Sequence, residues 1–120
     1  MFGRLFGRQP VSSTISLSLD ELFNLCRVER RRHAITIMAD VEDVIPMRTL
    51  VDEVASREFG PDRTTNERTT VYTTFYQQHI AILDDADVLS APDGPSGMLV
   101  PGENAEPLSE LLSFIESVSE

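Results

Sequence analysis

Five apolar residues, Met47, Leu50, Val51, Val54 and Ala55, fall at i, i+3, i+4, i+7 and i+8. That spacing draws a single apolar stripe along a helix and fits no strand. Pro46 stands at its start, a position where proline's missing N–H is tolerated, and "GPDRTTNE" (60–67) breaks it. The stripe needs partners on both sides, so the flanking segments decide the fold.

Upstream, Ser18-x-x-Glu21 fits a capping box, followed by Leu19, Leu22, Phe23 and Cys26 at helical spacing. A second helix is expected from about Val28 to Asp40, burying Val28, Ile35, Met38 and Ala39. "VIP" (44–46) reads as a short strand. Downstream, Thr64-x-x-Glu67 is a second capping box, opening a helix that runs to about Asp84. "VLS" and "MLV" around "APDGPSG" read as a β-hairpin, and Leu108, Leu111, Leu112, Ile115 and Val118 give a narrow stripe on a short last helix. The expected class is mainly α with a small hairpin wing, an α+β winged helix-turn-helix with an extra C-terminal helix, in which 44–46 joins the hairpin as a third strand. Residues 1–17 are expected as a flexible arm, 18–103 as the winged domain and 104–120 as the amphipathic helix.

The chain of 120 residues carries 20 acids against 10 bases, every base is Arg, and the net charge is −10. An acidic, Lys-free chain of ordinary hydrophobicity (41%) points to a cytoplasmic protein of a salt-loving organism, where carboxylates hydrate the surface and salt screens them; the alternative, less favoured, is a protein that mimics a polyanion or meets a basic partner. No apolar run has membrane-spanning length, and the start lacks the features of a signal peptide. Cys26, the single cysteine, excludes an intrachain disulfide and a cysteine metal cluster; it reads as a buried thiol. His33 and His79 read as structural histidines. With no Gly-rich phosphate loop and no paired catalytic groups, the sequence offers no enzyme, metal or cofactor site.

"LDELFNLCRVERRRHAITIMAD", "MRTLVDEVASRE" and "TTVYTTFYQQHIAILDDADVLS" resemble, in order and spacing over about residues 18–91, a family of small haloarchaeal winged-helix domains. Its pattern is a leading Leu-Asp-x-x-Phe helix, an Arg-Arg pair, a Leu-Ala-x-x-x-Ala helix and a Tyr…His-Leu-Pro-x-Leu stretch before the first wing strand. Its members are uncharacterised or described as transcriptional regulators, so the resemblance implies fold and lineage first. Two positions depart from the pattern. Ile80-Ala81 replaces Leu-Pro, and Ala86-Asp87 replaces Ala-Gly; if that site needs positive φ, Asp tolerates it better than most residues.

"RTTVYTTFYQQHIAIL" (68–83) contains no acid, the one such long run between Asp20 and the C-terminus in a chain of 20 acids, residues 1–19 being free of acid as well. At 100° per residue, Val71, Tyr72, Phe75, His79, Ile82 and Leu83 face the core. Asn66, Thr70, Thr73 and Gln77 face outward, with Thr69 and Ile80 at one margin and Thr74 at the other. Short uncharged hydrogen-bonders cleared of carboxylates suit a DNA groove. Helix 67–84 is therefore expected to be the recognition helix, with Asn66, Arg68, Thr69, Thr70, Thr73 and Gln77 on double-stranded DNA, and Arg63 and Arg31 among the phosphate contacts. A protein–protein assembly module without DNA contact fits too. Ile80 at the margin favours that rival, as do a wing without a base and a net of −9 over residues 84–120, which hold nine acids and no Arg. The last helix is too short to stand alone; it packs on its own domain or forms a homodimer through Leu108, Leu111, Leu112, Ile115 and Val118, and the dimer is the reading preferred.

Overall fold

The computed structural model describes residues 14–119. Four helices precede the hairpin: α1 (Leu19–Cys26), α2 (Glu29–Ala39), α3 (Met47–Phe59) and a long α4 over 65–85. Strand β1 (Ile45–Pro46) leads directly into α3, and β2 (Leu89–Ser90), β3 (Met98–Pro101) and α5 (Ala105–Val118) follow α4. The protein is thus mainly helical, with a three-stranded antiparallel sheet ordered β1-β3-β2. Ile45 pairs with Leu99 and Leu89 with Pro101, so the strand furthest along the chain is central.

The five stripe residues of α3 are all fully buried. The N–H of Met47, at the start of α3, donates to Gly97 O (3.0 Å), tying the helix to the sheet. Both capping boxes form: Ser18 with Glu21, and Thr64 with Glu67, each closing two free N–H groups of a first turn. Asp87 has φ 60°, a left-handed conformation that Asp tolerates better than most residues. Next to it, Gly102 admits no side chain, since a Cβ would lie 2.1 Å from Asp87 O.

Three expectations change. In α1 the buried residue is Leu25; Leu19 and Phe23 are 64% and 63% exposed, and Cys26 is half-buried with its thiol pKa pushed up by that burial. The helix has eight residues and meets α2 along one edge, so its apolar stripe is wider than the contact. In α2, Val28 and Ala39 are half-buried, while Arg31, Ala34 and Ile37 are buried. In α4, residues Phe75–His79 form one turn of π-helix between α-helical segments Thr65–Thr74 and Ile80–Asp85. The wider turn shifts the phase of everything after it. Ile80, expected at the outer margin, is accordingly buried at 2% exposure.

Helix α5 packs chiefly against α2. Leu108 and Leu112 lie in the common core and Leu111 is half-buried, while Ile115, Val118 and their neighbour Phe114 are exposed. At its start, Asn104 is almost fully buried: Nδ2 donates to Ala86 O (2.9 Å), and Oδ1 accepts from the Ser16 N–H (3.2 Å). Ile15 and Leu17, in the last part of the segment expected as an arm, are half-buried against the core; residues 1–13 of that segment lie outside the described residues.

Candidate functional site

The outward face of α4 is built by its capping box and its π turn. The box starts the helix at Thr65, so that Asn66, Thr69, Thr70 and Thr73 project outward along the first half. Thr70 turns its hydroxyl back to Asn66 O (2.9 Å). Thr74 is half-buried; its hydroxyl donates to the carbonyl of Val71 (3.0 Å) and accepts from Arg30 (3.1 Å). Across the π turn Tyr76, Gln77 and Gln78 are exposed, and Tyr76 stacks at 6.4 Å on Tyr72. Asn66, Thr69, Thr70, Thr73 and Gln77 are thus all exposed along α4, as are Tyr76 and Gln78, and none of the seven is a carboxylate. A fixed 100° step could not place those two; their signal was the absence of acid around them.

The arginines divide. Arg68 is ion-paired to Asp52 on α3 through Nε, with Nη2 at 3.5 Å, and this pairing holds its pKa above the ordinary value. Arg63 reaches back to Gly60 O (3.4 Å) at the end of α3. Arg31, expected at a phosphate, is instead 2% exposed and donates through Nη2 to Asn24 O (3.1 Å). It sits on the inner face of α2, between Arg30 and Arg32, and cannot meet an external strand of DNA.

Arg31 instead lines a cleft of about 490 Å³ between α1, α2 and α4. His79, at the end of the π turn, forms the opposite wall with 5% exposure and its ring edge-on to Phe75 at 5.0 Å. Burial first, then Arg31 and Arg30, push its pKa down to about 4, so the imidazole is neutral at pH 7. Arg30 is clamped bidentately by Glu58 at 2.7 and 3.0 Å. Among the described residues no helix is long and apolar enough to cross a membrane, and no cluster of His, Cys, Asp and Glu could hold a metal ion.

Residues 23–93 match the model of a family described as a domain of unknown function (DUF7344), and the chain belongs to that family. No curated protein and no solved structure matches it.

Proposed function

We propose that this chain is a DNA-binding transcriptional regulator of haloarchaeal type, with a winged helix-turn-helix in which α3 and α4 form the helical pair and the β2–β3 hairpin the wing. The observation that carries the reading is the outer face of α4: an exposed row of Asn66, Thr69, Thr73 and Gln77 on a protein of net charge −10. Asn and Gln match the adenine edge, and Thr a base edge or the thymine methyl. The packing of α3 against α4 and the sheet order β1-β3-β2 accord with that fold. The burial of Ile80 removes one argument for a pure assembly module.

In molar salt the screening length falls to about 3 Å, which mutes repulsion from the acidic C-terminal third. The same salt weakens counterion release, so affinity rests on short-range contacts and shape. Thr73 and Gln77 supply base contacts, and Arg68 meets a phosphate from its pairing with Asp52. A second copy of the chain is the proposed partner, meeting the exposed Phe114, Ile115 and Val118.

Selection from a random duplex pool in molar KCl, followed by anisotropy titrations, tests the reading. Thr73→Ala and Gln77→Ala each cost about 1–3 kcal/mol on the selected site and relax one position. Arg68→Ala weakens all sequences alike. A pool that enriches no sequence refutes DNA reading and leaves the assembly module. Light scattering that finds a monomer at micromolar concentration refutes the dimer.

A further inference from the structure

Nine large apolar side chains stand exposed among the described residues, and five of them lie on two helices: Leu19 and Phe23 on α1, and Phe114, Ile115 and Val118 on α5. Single exposed apolar residues are ordinary, but a concentration of them on neighbouring helices calls for a partner. The two helices are neighbours. Both pack against α2, and Ser16, just ahead of α1, donates its N–H to the side chain of Asn104 at the start of α5 (3.2 Å). Steps of seven and eleven residues from Asn104 reach Leu111 and Ile115. At 100° per residue these fall on the side of α5 that carries Asn104 and meets the segment entering α1. Val118 and Phe114 fan out from that side toward solvent.

Each helix presents an exposed ridge with a step of four residues. On α1 the ridge is Leu19, Phe23 and Arg27, the last being the C-cap, whose φ and ψ continue the helix. On α5 it is Glu110, Phe114 and Val118. Ridges of this step pack into one another's grooves. A stable interface takes roughly 20–30 residues from each side, more than the last turns of α5 supply alone. Two copies meeting through α5 alone would also set acid against acid, since α5 carries Glu106, Glu110 and Glu116 and no base. The ridge of α1 instead ends in a guanidinium. Asp20 and Glu21 stand at the other end of α1, where Glu21 is held in the capping box.

We propose that the dimer interface is α1 of one copy against α5 of the other, formed twice about a two-fold axis. Phe23 meets Phe114, Leu19 and Val118 extend the apolar contact, and Arg27 lies among the carboxylates of α5. The partner is a second copy because one surface then carries both halves of the match, as an isologous interface requires. The proposal rests on the dimer put forward above and adds the surface that receives α5. Molar salt screens the Arg27 contacts, so the apolar ridges carry the affinity and the charges decide which helix meets which.

The test is light scattering of the intact protein in molar KCl, joined to disulfide trapping. Phe23→Ala and Phe114→Ala each weaken dimerisation about tenfold or more, because a two-fold interface loses each side chain twice. Both positions are exposed, so the fold stays intact, and circular dichroism verifies it. In a Cys26→Ser background, a mixture of Phe23→Cys and Phe114→Cys chains forms a disulfide dimer more readily than either chain alone. A dimer that Phe23→Ala leaves unchanged, or Phe114→Cys chains that link to themselves more readily than to Phe23→Cys chains, overturns the α1–α5 pairing and leaves the dimer itself standing. A monomeric wild type overturns both, whether residues 1–13 or another protein then cover the face.

Discussion

Asn104→Asp replaces one atom and should be among the most damaging changes the fold can receive. The side chain is 2% exposed, with Nδ2 2.9 Å from Ala86 O and Oδ1 3.2 Å from Ser16 N. An aspartate keeps the second bond and loses the first. Its new oxygen stands against the Ala86 carbonyl, and that carbonyl has lost its donor. A buried acceptor left unpaired costs about 1–3 kcal/mol, and the desolvated carboxylate adds to it, so about 2–4 kcal/mol is expected at pH 7. For a domain of this size that lowers Tm by roughly 10 °C. The carboxyl can restore the bond by taking up a proton and donating to Ala86 O, so its folded pKa rises above the unfolded value near 3.9. The deficit relative to wild type is then absent below the unfolded pKa and grows to its full size as pH climbs through the raised folded one. Thermal melts of both proteins from pH 3.5 to 8 in molar KCl read this directly. Equal stability at pH 7, or a deficit that does not narrow in acid, would show that Asn104 does not pin the 86–87 turn.

His79 makes the opposite demand of pH: its pKa of about 4 lies below the ordinary 6.5, so the unfolded chain binds the proton first and stability falls as pH drops from 6.5 to 4, by up to about 3 kcal/mol. Denaturant titrations of wild type and His79→Gln should diverge over that window, and parallel curves would contradict the assignment. Leu108→Ala should cost about 2–5 kcal/mol in the same assay, because Leu108 is fully buried, whereas Ile115→Ala should change the stability of the isolated chain by less than about 0.5 kcal/mol. Circular dichroism across a KCl series should show helicity that depends on high salt, the outcome the halophilic reading of a net charge of −10 predicts; full helicity and an unchanged melting point at low salt would reject that reading.

What the sequence made legible were features carried by local rules. The α3 stripe, both capping boxes and the three short strands each follow from a few neighbouring residues and appear where expected. The outer face of α4 was legible through Thr73, and at Gln77, for the same reason. Beyond it a constant helical step fails at the π turn, and no residue in Phe75–His79 announces the extra turn, so Ile80 was set outside and Gln78 was missed. Arg31 was illegible for another reason. Its burial depends on α1 and α4 arriving on either side of α2, a tertiary fact, and an arginine in an Arg-rich run otherwise reads as surface. The last helix divided between its two readings: Leu108 and Leu112 serve this chain's own core, and only the turns beyond them remain uncovered.

The sheet order carries a consequence for how the molecule assembles. Ile45 and Pro46 find their partners only at Leu99 and Met98, with α3, α4 and β2 lying between them in sequence. Closing so long a loop for two residue pairs returns little against its entropy unless the intervening helices have already brought the ends together. The helices around α2 and α3 are therefore expected to condense first, with the strands forming on a nearly finished scaffold. On that expectation the sheet is a late latch: the Met47–Gly97 bond that ties down the start of α3 would close after the buried stripe has found its place.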